Sequence, residues 1–200
     1  MNAVLFDVGG PIDMEFAREI AMDGAIASAC GLEGIRIDEA AIEVASQRAV
    51  EAFASDAYGH MIETLCGDPR TVERVRQRVQ AMVGKLDVFQ LRPEIDGLLR
   101  KLRQLGLTLG AADSERERLD RAGIGDLFVY GDPGLLPTEC IMVGDRLDND
   151  IAPAKALGMA TIRFRTGRHR RQTPRSPAEA PDIEVTDVAE LKAAIESLLR

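Results

Sequence analysis

The stretch Cys140-Ile141-Met142-Val143-Gly144-Asp145-Arg146-Leu147-Asp148-Asn149-Asp150 decides how this chain folds. An apolar run closed by a glycine and followed by acids reads as a buried strand that stops abruptly and hands its end to a carboxylate. The N-terminal region repeats the design, because Ala3-Val4-Leu5-Phe6 runs into Asp7 and is stopped by Gly9, Gly10 and Pro11. Strands alternating with helical segments imply a parallel sheet covered on both faces. The ligand crevice of such a sheet lies at the carboxyl ends of its strands. Asp7 and Asp145 then project from one edge, and Asp150 adds a third carboxylate on the adjoining loop. An oxygen-only cluster, with no histidine or thiolate nearby, suits a hard cation such as magnesium. The competing view has Asp145 and Asp150 merely opening the next helix, where acids favour the dipole. The separate acid at the end of the first strand tips the balance toward a metal site.

Outward from these two strand ends, the pattern between residues 14 and 90 changes to helical periods. Phe16, Ile20 and Ile26 mark one segment, Ile42, Ala45, Ala49 and Phe53 a second, and Val72, Val75, Val79 and Met82 a third. This predicts a helical domain over 14–90, inserted into an α/β core made of 1–13 and 91–200. Alternation resumes at Arg92. Pro93 fits a first helical turn, Leu98, Leu99, Leu102 and Leu105 follow at helical spacing, and Gly106 suits a left-handed stop. Residues 107–112 read as a strand, Ser114 and Glu117 as a capping box for a helix to about Ala122, and 127–130 as another apolar run. A strand over 159–164 and a last helix capped by Asp187, with Val188, Leu191, Ile195 and Leu198 on one face, complete a doubly wound parallel α/β fold.

Composition narrows the function classes. With 46% hydrophobic and 29% charged residues of both signs, the chain reads as a globular protein rather than a disordered one. No apolar run approaches the roughly 18 to 20 residues of a membrane span, and no secretory signal is evident, so a cytoplasmic location is expected. Cys30, Cys66 and Cys140 are odd in number and widely spaced, which predicts ordinary core thiols rather than a disulfide framework or metal site. A net charge of −8 disfavours polyanionic partners. Arg163, Arg165, Arg168, Arg170, Arg171 and Arg175 cluster with His169 near Pro174 and Pro177, and are expected to form an exposed, locally packed arm rather than a nucleic-acid surface. Nothing in the sequence fixes an oligomeric state.

Phe6-Asp7-Val8-Gly9-Gly10 and the segment from Val143 to Asp150 resemble the first and last signature motifs of the haloacid dehalogenase-like (HAD) superfamily. The likeness spans nearly the whole chain, including the order of elements and the run Ala-Lys-Ala-Leu-Gly-Met after the acidic loop. It implies a Rossmann-like core with a helical C1-type cap that selects the substrate. It further implies Mg2+ held by Asp7, the Gly9 carbonyl and Asp145, with Asp150 as a ligand or directly behind the ligands. Gly10 and Ser114 would bind phosphate. The implied reaction is hydrolysis of a small phosphorylated metabolite through an aspartyl-phosphate on Asp7.

Three departures from the family pattern stand out. Gly9 occupies the place of the second aspartate that serves phosphatases as general acid and base, a loss that can cost about 10²- to 10⁴-fold. Ser114 is one residue from the expected phosphate-binding position and serves equally well as a helix N-cap. No lysine occurs between Asp113 and Asp145, and only nine residues separate Tyr130 from Cys140, where a parallel crossover normally needs about a dozen. The lysine loop and its helix are therefore either lost or fall in residues this chain does not carry. Lys155 is expected on a helix surface, and Tyr58 and His60 in the cap as structural or solvent-facing groups. These departures keep two alternatives open: a catalytically impaired member with a binding or regulatory role, and a haloacid dehalogenase or phosphonate-cleaving hydrolase.

Overall fold

The computed structural model describes residues 1–84, 88–112, 116–130 and 134–199. The chain divides into two compact units, Met1–Met14 with Phe89–Arg200 and Glu15–Val88.

The first unit is built on five strands, β1 (Ala3–Phe6), β2 (Thr108–Ala111), β3 (Cys140–Gly144), β4 (Ala160–Phe164) and β5 (Ile183–Val185). They pair in the order β2-β1-β3-β4-β5, and every pairing is parallel. Central strands covered on both faces need apolar residues at every position, which is why β1 and β3 read as unbroken hydrophobic runs. Register decides the function: Phe6 lies opposite Ala111 on one side and Val143 on the other. The chain therefore leaves β1 and β3 at the same level, carrying Asp7 and Asp145 with it.

The Glu15–Val88 unit holds four helices, α1 (Phe16–Leu32), α2 (Glu39–Glu51), α3 (Ala57–Cys66) and α4 (Pro69–Val83). Asp38, Asp56 and Asp68 start the last three, each accepting the backbone N–H three residues on at 2.8 to 2.9 Å. The buried face is narrow and made of small residues, with Ala25, Ile26 and Ala29 from α1 and Ala45 and Ala49 from α2 packed with Met61, Val75 and Val79. Several residues assigned to that face lie elsewhere. Phe16 and Ile20 are 57% and 60% exposed. At 100° per residue Ile20 lies about 120° around the helix from Ile26, so the two do not share a stripe. Met82 is exposed as well, and Val83 packs in its place. Phe53 falls beyond the end of α2 with φ 51.

Back in the first unit, α5 (Ile95–Gln104), α6 (Arg116–Arg121), α7 (Ala152–Ala156) and α8 (Val188–Leu198) accompany the sheet. Leu98, Leu99 and Leu102 are buried, but Leu105 lies past the helix end and is exposed, while Gly106 takes the left-handed conformation at φ 84. Residues 127–130 do not form a strand. A 3-10 turn over Gly125–Leu127 is followed by a single parallel bridge from Val129 to Gly110. Between Val129 and β3 the described residues carry only another 3-10 turn, Pro137–Glu139, in place of a crossover helix. The expected loss or omission of the lysine loop falls on Gly131 to Pro137, of which Gly131, Asp132 and Pro133 lie outside the described residues. The short edge strand β5 was not anticipated, since three residues are too few to establish a period. Where the inserted helices leave and rejoin this unit, Met14 donates to the Gln90 carbonyl at 2.9 Å, Arg92 to the Ile12 carbonyl at 2.8 Å, and Gln90 to the Asp13 carboxylate at 2.9 Å.

Candidate active site

The Asp7 amide donates to the Val143 carbonyl at 2.8 Å, which fixes the first residue beyond β1 against β3. One carboxylate oxygen each from Asp7, Asp145 and Asp150 lies within 4.8 Å of the others. Asp145 and Asp150 are buried at 3% and 5% exposure. Three acids brought this close, two of them out of water, repel one another unless a cation or a shared proton offsets the charge. A hexacoordinate ion with oxygen bonds of about 2.1 Å sets its ligands about 3 to 4 Å apart, so small side-chain movements would close the cluster around magnesium. The donor set fits that ion and offers nothing to a softer one.

Two glycines make the approach possible. A Cβ on Gly144 would sit 2.5 Å from Asp150 Cγ, and one on Gly10 would meet Asp145 Cβ at 3.1 Å and Thr166 Cγ2 at 3.0 Å. Gly10 also takes a positive φ of 81, a conformation that residues with a Cβ avoid. The glycines that stop the strands in the sequence therefore also let the acids converge.

Asp150 is held by an unusual turn. Its own amide and that of Ile151 both donate to the Arg146 carbonyl at 3.2 Å, and its carboxylate accepts the Arg146 amide at 2.8 Å. Residues Leu147–Ile151 thus form one wide π-helical turn leading into α7, a feature common at functional sites. Asp148 takes a different role. It pairs with Arg146 at 2.7 Å and accepts from Gln172 at 3.1 Å, while the Gln172 side-chain oxygen Oε1 accepts the Leu147 amide at 2.9 Å. Burial pulls the Asp148 pKa upward, but its hydrogen bond and ion pair with Arg146, helped by Gln172, outweigh that and hold it below the usual carboxylate range.

Two arginines brace the acid-bearing backbone. Arg92 donates to the Gly10 carbonyl at 2.9 and 2.5 Å and to Thr166 Oγ1 at 3.0 Å, and its guanidinium lies 4.5 Å from the Phe164 ring centre. Arg163, counted in the sequence among an exposed basic arm, is 1% exposed. It donates to the Asp145 and His169 carbonyls at 3.3 and 2.8 Å and pairs with Glu184 at 2.9 Å. Burial lowers its pKa despite the Glu184 charge. The rest of the arm packs locally, with Arg175 paired to Glu179 and Arg165 to Glu184. Arg92, Arg163 and Gln172 escaped sequence reasoning because an arginine or glutamine that bonds main-chain carbonyls and amides leaves no motif. The one available signal was Arg163 itself, a charge inside an otherwise apolar strand.

The remaining expectations resolve unevenly. Ser114 lies outside the described residues. Lys155 donates to the Ala180 carbonyl and faces Asp182 at 3.6 Å, which ties α7 to the segment before β5. Tyr58 lines a cleft of about 540 Å³ in the helical unit, with Asp56, Arg76 and Gln77. Asp13, close to Gly9 in sequence, is buried and accepts the Gln90 amide.

The sequence model of the HAD-hydrolase-like family matches residues 113–191, the part that carries the Asp145–Asp150 turn. Glyceraldehyde 3-phosphate phosphatase of Methanopyrus kandleri is 28% identical across all of this chain and 99% of its own length. The family model and this relative together support a haloacid dehalogenase-like hydrolase. This HAD-like hydrolase also aligns with phosphoserine phosphatase of Thermus thermophilus, at 27% identity over 70% of this chain and 64% of that protein. In fold it is similar to a crystal structure described as a predicted phosphoglycolate phosphatase from Haemophilus somnus, with TM-score 0.69, 17% identity and coverage of 100% and 98% of the two chains. The Methanopyrus alignment runs over 234 positions against the 200 residues present here. That relative therefore carries residues this chain lacks.

Proposed function

We propose that this HAD-like phosphatase is magnesium-dependent and hydrolyses a small phosphorylated metabolite through a covalent intermediate on Asp7. The observation that carries this reading is the convergence of Asp7, Asp145 and Asp150 at one end of the sheet. Asp7, Asp145, Asp150 and the Gly9 carbonyl would hold the cation. Bound there, magnesium would neutralise phosphate oxygens that otherwise repel an approaching carboxylate. The Asp7 carboxylate attacks phosphorus in line as the bond to the leaving oxygen breaks and that oxygen takes a proton from solvent, and water then attacks the aspartyl-phosphate to restore the acid and release phosphate. Arg92 and Arg163 keep the Gly10 and Asp145 carbonyls in place, so that Asp7 and Asp145 need not reorganise during the reaction. The Gly10 amide and Ser114 would meet the phosphate, and the helical unit would select the rest of the substrate.

Gly9 favours one alternative, a member with weak or no turnover that keeps the cation site for binding, because no side chain there can protonate the leaving group. The test is a panel of phosphorylated metabolites assayed with magnesium and again with a chelator, starting with glyceraldehyde 3-phosphate and phosphoserine, the substrates in the relatives' names. Phosphate release that disappears with chelation is the expected outcome. Chelator-resistant release would remove the metal from the proposal, and no release from any member would favour the impaired alternative.

A further inference from the structure

The helical unit holds a pair of thiols that the phosphatase chemistry does not use. Cys30 Sγ and Cys66 Sγ lie 3.8 Å apart, although 36 residues separate them in sequence. Cys30 is wholly buried near the end of α1, whereas Cys66 is the last residue of α3 and only partly buried. We propose that Cys30 and Cys66 form an oxidative cross-link, a reversible disulfide that joins α1 to α3. The sulfurs must approach by less than about 2 Å to reach bonding distance. The chain can supply that movement because both residues sit where a helix stops. Gly67, at φ 70, turns the backbone directly after Cys66, and the Cys30 carbonyl accepts the amides of Glu33 and Ile35 as α1 unwinds. Cys140, by contrast, belongs to the other unit and contacts the Leu136 carbonyl at 3.4 Å.

The oxidant is a peroxide. Cys66, the thiol that solvent reaches, attacks one peroxide oxygen, the O–O bond breaks, and Cys66 becomes a sulfenic acid while the other oxygen leaves as water or an alcohol. Cys30 Sγ then attacks the Cys66 sulfur, the S–O bond breaks, and the thiol proton leaves with hydroxide as water. Two thiols lose two electrons and two hydrogens to the peroxide. Burial raises the Cys66 thiol and, together with Cys66 itself, pushes Cys30 up to about 12, so the reaction is slow and needs excess oxidant. Its mechanical effect falls on a weak seam: α1 packs mainly against α4 and α3 mainly against α2, with little contact between α1 and α3.

The experiment treats the full chain with excess hydrogen peroxide, blocks remaining thiols, and maps peptides by mass spectrometry without reduction. The expected product is a peptide pair joined through Cys30 and Cys66 with the loss of two hydrogens, accompanied by a rise in Tm that a dithiol reductant reverses. Cys140→Ser should leave the cross-link intact, and Cys66→Ser should abolish it. Because Cys30→Ser alters a packed site and is liable to unfold the unit, the peptide map of the unsubstituted chain is the deciding measurement. A Cys66 sulfinic acid without a joined peptide, a link through Cys140, or no change at all would overturn the proposal.

Discussion

The two units of this molecule are assembled by different means. The sheet unit gathers three carboxylates at one edge and holds them with arginines, glycines and a widened turn, so much of its sequence is committed to keeping charge in place. The helical unit gathers methyl groups. Asp38, Asp56 and Asp68 cap helices at the surface, the unit's buried face is mostly alanine, valine and isoleucine, and the residues that meet there do so through shape. Damage should therefore appear as lost chemistry in the first unit and lost stability in the second.

Asp7→Asn gives the strongest test of that division. Turnover should fall by at least about 10⁴-fold, as expected for removal of a covalent nucleophile, with the unfolding transition barely moved. Unchanged phosphate release would break the assignment. Ile26→Ala is the mirror experiment. Emptying a fully buried site in the helical unit should cost about 2 to 5 kcal/mol in a denaturant melt, while calorimetric magnesium binding stays as it was. If both quantities move together, the units are not independent in the way described. Asp150→Asn sharpens the picture within the sheet unit. It should raise the magnesium needed for half-maximal activity by about 10- to 100-fold, and an unchanged requirement would place Asp150 in a purely structural role in the turn.

The smallest effect concerns His169, whose pKa burial lowers to about 4, with the Arg146 charge adding to the effect. The unfolded ring has a pKa near 6.5 and so takes up its proton first as pH falls. The contribution of the neutral ring is fully present above pH 6.5, is lost progressively from there toward pH 4, and levels off below. Between pH 7 and 5 the loss should be roughly 1 kcal/mol, allowing for some access of water. His169→Gln should flatten that part of the stability profile, and an identical slope in the variant would assign it to other groups.

Legibility in the sequence follows the same division. Asp7, Asp145 and Asp150 could be placed because strand ends are punctuated by glycine and because a parallel sheet sends its carboxyl ends to one side. Asp148 shows the limit. It sits within the same acidic run, yet Arg146 and Gln172 take it for themselves, and only one of those partners is a sequence neighbour. In the helical unit, periodicity located helices, but it grouped Phe16 and Ile20 with a face they do not join. The clearest misjudgement was Arg163, which was grouped with the basic residues that follow Phe164 although it lies between buried Ile162 and Phe164 and its neighbours in space are Glu184 and the Asp145 carbonyl.

The wide turn over Leu147–Ile151 has a consequence for how this site tolerates change in length. An α-helix advances about 100° per residue, so the π turn works as a one-residue shim between the end of β3 and the start of α7. Removing any one of Leu147, Asp148 or Asn149 would let ordinary winding resume and take Asp150 from its place four residues past Arg146, where its amide and carboxylate are tied to that residue, and so away from its two companions. Deletion scanning of this segment should therefore be harsher than substitution scanning, the reverse of what surface loops normally allow.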